Sequence, residues 1–313
     1  MDIQYLLWLQ GIRNATGGMF DEFFNGVSKF AVDIMPFLPF VVFWCANKKW
    51  GYRFITSWAL GEIINSIIKL TVCAYRPWIR SELIEPAGDS KVAATGYSFP
   101  SGHTVAATVT YGTTVVWQKD KRRWLAVLCG VLIAMTGFSR NYLGVHTPQD
   151  VIVGFCEAVI IIVITGIVQK KTDGNERLAD ILTFAGAAAV VLALVYIILK
   201  PYPMDYVDGK LLVDPQLMMN DSFKACGFCL GFLLGSYLDR HYLKYRIPAG
   251  KAELPMLTCI GAAIMFGWRE WFAPATVTAA LGGHWGNMAA HFIMVMFAMT
   301  IWPMVITKTC EKG

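Results

Sequence analysis

Lys69-Leu-Thr-Val-Cys-Ala-Tyr-Arg76-Pro77, Pro100-Ser101-Gly102-His103 and Ser139-Arg140-Asn-Tyr-Leu-Gly-Val-His146-Thr-Pro-Gln-Asp150 are three polar clusters set in otherwise apolar sequence. They bring Lys69, Arg76, Arg140, His103 and His146 together with a hydroxyl, Ser101, and a carboxylate, Asp150. That combination suits gripping a phosphate and moving it onto an imidazole. The apolar sequence around the clusters decides the fold. A bilayer core of ~30 Å takes about 20 apolar residues per helix, and runs at or near that length recur along the chain.

Composition agrees. The 313 residues are 56% hydrophobic and 16% charged, with mean hydropathy +0.48, whereas a soluble domain averages about 25% charged residues. The expected fold is an all-α polytopic membrane protein. Spans are expected at 30–46, 54–73, 104–117, 125–138, 151–168, 181–199, 225–237, 254–266 and 288–305. Residues 1–29 read as an interfacial segment broken at Gly17-Gly18, 30–200 as a six-span core, and 201–313 as a three-span extension. The N-terminus lacks a basic segment followed by a cleavage site, so no removable signal peptide is expected. Most of the 8 cysteines lie in apolar runs, which argues against a disulfide framework. Cys226-Gly-Phe-Cys229 lacks a second ligand pair and reads as helix packing.

In a membrane protein, a formal charge of +5 concerns topology, and no nucleic-acid partner is expected. One set of alternate loops collects Lys48, Lys49 and Arg53, then Lys119, Lys121, Arg122 and Arg123, then Lys170, Lys171 and Arg177, then Arg240, Lys244, Arg246 and Lys251. Basic short loops face the cytoplasm. The N-terminus and the three polar clusters therefore fall on the opposite face, periplasmic or extracellular, or luminal in the endoplasmic reticulum of a eukaryote. Cations placed against the orientation rule and beside hydrocarbon are functional by default.

Each cluster has a local rationale. Lys69 and Arg76 are seven apart and share a face if one helix carries both, with Pro77 marking its end. Ser101 is placed to cap the third span, where unpaired N–H groups favour a phosphate, and Gly102 permits close approach of the ligand. Thr147 with Pro148 fits a helix start. Asp150 then lies in the first turn, within reach of one His146 nitrogen, leaving the other for attack. A metal site at His146 and Asp150 is the rival reading, and three neighbouring cations oppose it.

The pattern K-x6-RP, PSGH and SR-x5-H-x3-D resembles that of the type 2 phosphatidic acid phosphatase superfamily, the lipid phosphate phosphatases, whose sites are similar to those of vanadium haloperoxidases. All three motifs are complete and in order between Lys69 and Asp150. The resemblance implies that His146 is a nucleophile forming a phosphohistidine, oriented by Asp150, and that His103 is the general acid and then the general base. It implies that Lys69, Arg76, Ser101, Gly102 and Arg140 hold the phosphate oxygens, without a cofactor or metal. The substrate would be a phosphorylated membrane lipid. A nine-span layout also looks like the glucose-6-phosphatase branch, which makes a sugar phosphate the alternative substrate. Phosphate transfer to another lipid is a third reading, and a non-catalytic scaffold or transporter with this fold a fourth.

Outside the clusters, Gly227, Gly231 and Gly235 form a close-packing stripe. Packing inside the chain is the favoured use of it, and a homodimer the alternative. Asn14-Ala-Thr16 and Asn220-Asp-Ser222 are glycosylation sequons on the expected outer side. Trp268-Arg269-Glu270-Trp271 reads as part of an interfacial aromatic belt.

Overall fold

The computed structural model describes residues 2–94 and 96–312. It is all-α, with one short hairpin pairing Tyr206–Val207 with Lys210–Leu211. The long helices are α1 (Asp2–Ala15), α2 (Asp21–Asp33), α3 (Lys48–Val72), α4 (Gly102–Gln118), α5 (Arg123–Tyr142), α6 (Pro148–Thr172), α7 (Glu176–Leu199), α8 (Pro215–Leu238), α9 (Leu254–Gly267), α10 (Gly283–Met296) and α11 (Trp302–Lys312). The expected all-α polytopic class is the observed one.

Among the described residues, 6 helical stretches are long and apolar enough to cross a membrane: Asp21–Ala46, Arg123–Tyr142, Pro148–Thr172, Glu176–Leu199, Pro215–Leu243 and Gly283–Glu311. Helices also cover the other three expected spans, but each for a different reason does not qualify. The 25-residue α3 carries Lys48, Lys49, Arg53, Glu62 and Lys69. The 17-residue α4 is threonine-rich, and α9 has only 14 residues before its winding changes at Trp268. The first span starts earlier than expected, because Asp21 and Glu22 occupy the first turn of α2 directly after the Gly17-Gly18 break.

The chain packs as two units that alternate along the sequence. One comprises the residues up to Pro36, Ile64–Ile162 and Lys200–Met219; the other comprises Phe37–Ile63, Val163–Leu199 and Asn220–Gly313. In the first, α2, α4 and α5 meet over Ala31, Ala107, Tyr111 and Cys129. Alanines at 31 and 107 are fully buried and let the helices approach closely. The loop after α3 is held by α1: Gln10 accepts from the Glu85 N–H at 2.9 Å and donates to the Leu83 carbonyl at 3.1 Å. Buried Arg13 donates to the Glu85 and Tyr142 carbonyls. Beneath this loop, Ala87, Ala94, Tyr142, Leu143 and Val145 form a second apolar cluster with Phe24 and Trp78. The N-terminal helix thus braces the loops that carry the polar clusters.

In the second unit, the glycine stripe of α8 packs inside the chain. A methyl group at Gly227 would lie 2.1 Å from the Met288 carbonyl oxygen, and one at Gly235 2.6 Å from Met299 Cβ. Cys226 and Cys229 are buried and unpaired, with Cys229 Sγ against the Ala59 carbonyl. A buried polar node ties the ends of this unit. Asp239 accepts from Lys48 Nζ at 2.6 Å, the Tyr52 hydroxyl at 2.5 Å and the Tyr245 N–H at 2.9 Å. Tyr245 in turn donates its hydroxyl to the Trp44 carbonyl at 2.6 Å, and the Trp44 indole donates to the Ala298 carbonyl at 2.8 Å.

Candidate active site

All eight residues expected in the site lie in the first unit, and local chain geometry places each one. The start of α6 is built by a reciprocal pair. Thr147 Oγ1 accepts from the Asp150 N–H at 3.4 Å, while Asp150 Oδ2 accepts from the Thr147 N–H at 2.8 Å. This is a capping box with aspartate in the acidic position. The same Oδ2 lies 3.3 Å from His146 Nδ1 and accepts the Ser98 hydroxyl at 2.6 Å. One carboxylate oxygen therefore closes a helix start and aims an imidazole. Nδ1 is the protonated nitrogen, and Nε2 carries the lone pair. Nε2 is not open, as the sequence suggested; Arg76 Nη1 donates to it at 2.8 Å.

The first cluster departs from expectation. Lys69 and Arg76 do not share a continuous helix. Helix α3 ends at Val72, Cys73 adopts a left-handed φ of 53°, and Arg76 is extended with ψ 154°. Pro77 forbids helical geometry at Arg76, and the chain leaves the helix one turn before that point. Both cations still reach the same region. Lys69 Nζ donates to the carbonyls of Pro100 at 2.5 Å, Ser98 at 3.3 Å and Tyr97 at 3.5 Å. Arg76 donates to the Val145 carbonyl at 3.0 Å and, through Nε, to Gly96 at 3.2 Å.

Ser101 caps α4 as expected. Its hydroxyl oxygen accepts from the Thr104 N–H at 3.4 Å and the Thr104 hydroxyl at 2.9 Å. Its own N–H donates to the Asp150 carbonyl at 2.9 Å, which docks α4 on the start of α6. Space at 102 is tight, since a Cβ there would come within 3.3 Å of Asn65 Oδ1 and 3.8 Å of Lys69 Cε. His103 follows in the first turn, half-buried, and its ring makes no hydrogen bond among the described residues. Arg140 lies in the last turn of α5. Its Nη1 donates to Ser28 Oγ at 2.7 Å, and its buried Nε has no partner among the described residues.

Electrostatics set this region apart. Lys69, Arg76 and Arg140 are 7%, 5% and 3% exposed, and the buried carboxylates near them are Asp150 and, on the Lys69 side, Glu157. Burial lowers the Arg76 pKa to about 10, against the pull of Asp150, so it stays charged at neutral pH. Burial, and then Arg76, Lys69 and Arg140, hold the His146 pKa well below 6.5. Its imidazole is accordingly neutral and has a lone pair to use. Three cations buried this close together repel one another, and a bound anion is a natural complement to them. Among the described residues, no three His, Cys, Asp or Glu side chains gather as metal ligands.

Sequence reasoning missed several participants. Ser98 touches Asp150, and Asn141 Nδ2 donates to the His146 carbonyl at 2.9 Å. Asn65 Nδ2 donates to buried Glu157 at 3.3 Å beside Gly102. None belongs to a spaced charged pattern. The available signal was position: Ser98 stands two residues before Pro100, and Asn141 directly follows Arg140.

Comparison with known proteins adds the following. Residues 50–173 match the model of the PAP2 superfamily. The chain is 27% identical over 206 residues to lipid phosphate phosphatase delta of Arabidopsis thaliana, covering 61% of this chain and 47% of that one. It is 35% identical over 113 residues to undecaprenyl-diphosphatase BcrC of Bacillus subtilis, covering 35% and 52% respectively. To sphingosine-1-phosphate phosphatase 1 of Rattus norvegicus it is 25% identical over 265 residues, covering 78% and 57%. The chain thus spans about half the length of these relatives. No solved structure matches it.

Proposed function

We propose that this chain, whose residues 50–173 belong to the type 2 phosphatidic acid phosphatase superfamily, is a membrane phosphatase that hydrolyses a lipid phosphate monoester or diphosphate through a phosphohistidine at His146. The observation that carries the reading is the gathering of three buried cations around a neutral, aimed imidazole.

The proposed chemistry uses this chain's own side chains. An arriving phosphate gives Arg76 a better acceptor than His146 Nε2, so binding frees the lone pair. Arg140, Lys69 and the N–H groups of Gly102 and His103 complement the three equatorial oxygens, where charge spreads during transfer. Nε2 attacks phosphorus as the P–O bond to the leaving group breaks, and the leaving oxygen takes a proton from His103. The charge of the bound phosphate keeps His103 protonated against the burial and cations that otherwise lower its pKa. Then His103 accepts a proton from water, the hydroxide attacks phosphorus, and the P–N bond breaks to release phosphate and restore the lone pair. Nδ1–H stays on Asp150 throughout. No metal is required by this scheme, because fixed cations carry the charge.

Membrane lipids are the expected surroundings and source of substrate. The site faces the extracytoplasmic side, since the basic short loops mark the cytoplasmic one. Purified protein should release inorganic phosphate from phosphatidic acid, isoprenyl diphosphate or a sphingoid phosphate, and should do so in EDTA. Absence of release from every lipid phosphate would overturn the reading, and release from sugar phosphates alone would move the substrate to the glucose-6-phosphatase type.

A further inference from the structure

We infer that Ser98, outside the three motifs, is a positioning residue for phosphoryl transfer, holding the Asp150 carboxylate against His146 Nδ1. The inference rests on the reading of His146 as nucleophile. Ser98 is 1% exposed, and its hydroxyl donates to Asp150 Oδ2 at 2.6 Å. That length is typical of a hydroxyl bonded to an ionised carboxylate, a class roughly twice as strong as neutral bonds. It is also the shortest of the contacts to Oδ2, against 2.8 Å for the Thr147 N–H and 3.3 Å for His146 Nδ1.

The geometry constrains the proton inventory. A serine hydroxyl has one hydrogen, and here it is spent on Asp150. Toward His146 Nδ1, 3.4 Å away, Ser98 Oγ can therefore only accept. Nδ1–H points between two oxygens, Asp150 Oδ2 and Ser98 Oγ. Two acceptors on this side favour the tautomer with the hydrogen on Nδ1, where the one donor nearby, Arg76 Nη1, is 3.5 Å away against 2.8 Å from Nε2. The ring is fixed in angle as well as protonation, with Nε2 turned toward Arg76.

Ser98 is itself held from the other side. Its N–H donates to the Ala74 carbonyl at 2.8 Å, and its carbonyl accepts from Lys69 Nζ at 3.3 Å. Both partners belong to the first cluster. Ser98 thus joins the first cluster through its backbone to the third through its side chain, from a place two residues before the second. It links the placement of Lys69 to that of the nucleophile.

Three variants test this with p-nitrophenyl phosphate as substrate and inorganic phosphate as inhibitor. Ser98→Ala should slow phosphoenzyme formation about 10- to 100-fold, the worth of one hydrogen bond to a charged group. Its inhibition constant for inorganic phosphate should stay within about twofold, because the cations remain. Ser98→Thr, which keeps the hydroxyl, should recover most of the rate. His146→Ala is run beside them. Wild-type rate in Ser98→Ala, or parallel loss of phosphate inhibition and thermal midpoint with no rescue by threonine, would overturn the positioning role while leaving the nucleophile intact. Turnover by His146→Ala would instead overturn the nucleophile reading, and the role of Ser98 with it.

Discussion

Two groups of buried charge among the described residues, one around His146 and one around Asp239, are built on opposite rules. Around Asp239 the acid is met by Lys48, the Tyr52 hydroxyl and the Tyr245 N–H, so charge and hydrogen-bonding capacity both close. Around His146, three buried cations gather near Asp150 and Glu157, and Arg140 Nε is left without a partner among the described residues. A closed group holds helices together and offers a ligand nothing. An open one is unstable alone and is completed by an anion. Charge balance thus separates architecture from chemistry where burial does not, since Asp239 and Arg140 are 1% and 3% exposed.

The sharpest break between the two comes at the histidines. His146→Ala should lower turnover by at least ~10⁴-fold, as loss of a nucleophile does, and leave no acid-labile, alkali-stable phosphoenzyme. His103→Ala should stop turnover of alkyl phosphates, where acid help is worth ~10²–10⁴-fold. With p-nitrophenyl phosphate, a good leaving group, it should still be phosphorylated and then stall for want of a base. An adduct mapping to residue 103 in the wild type would invert the two roles.

Next come mirror-image substitutions of the charges. Asp239→Ala leaves the Tyr52 hydroxyl and the Tyr245 N–H without their acceptor, while Lys48 keeps the Tyr245 carbonyl, and should lower stability by about 1–3 kcal/mol, the cost of unmet buried donors. Its kcat/KM per folded molecule should be unchanged. Arg140→Met removes a cation that nothing balances. It should lower kcat/KM ~10²–10³-fold, the scale of one lost transition-state donor, while the thermal midpoint holds or rises. Equal destabilisation by both, in thermal melts at matched detergent, would dissolve the distinction between open and closed groups.

Acidity gives the smallest effect. The pKa of His146 is held well below 6.5 by burial and the three cations, so its deprotonated form should persist and the acid limb of kcat/KM should fall below pH 6.5. Stability follows the same sign. The unfolded histidine binds a proton near pH 6.5 and the folded one only at lower pH, so its contribution falls as pH drops below ~6.5. The slope approaches ~1.4 kcal/mol per pH unit, and the contribution is flat above. The difference in unfolding free energy between wild type and His146→Gln should show that trend; a difference independent of pH would refute it.

The all-α class and the residues of the candidate site were legible because each is written in short-range sequence. The polar triple is dense enough to resemble a known family, and Thr147-Pro148 with Asp150 has the signature of a helix start. Helix ends were less legible. Nothing in Thr71-Val72-Cys73 announces that Cys73 turns left-handed, and the seven-residue spacing of Lys69 and Arg76 mimics one helical face across a real break. Ser98 was invisible for another reason. Its role arises from contacts to Ala74 and Asp150, far off in sequence, and a lone serine carries no periodicity. The contact of Arg76 with Nε2 was equally beyond reach, since spacing says which groups gather but not which atom faces which.

The capping box at Thr147 and Asp150 has one more consequence. The oxygen that pins the first turn of α6 is the oxygen that points the imidazole. If His146 is the nucleophile proposed above, fraying of that turn and idling of the ring are one event. Amide hydrogen exchange at Thr147 should report the fraction of molecules unable to turn over at any instant. A phosphate analogue that captures the ring would slow that exchange without touching the amide at all.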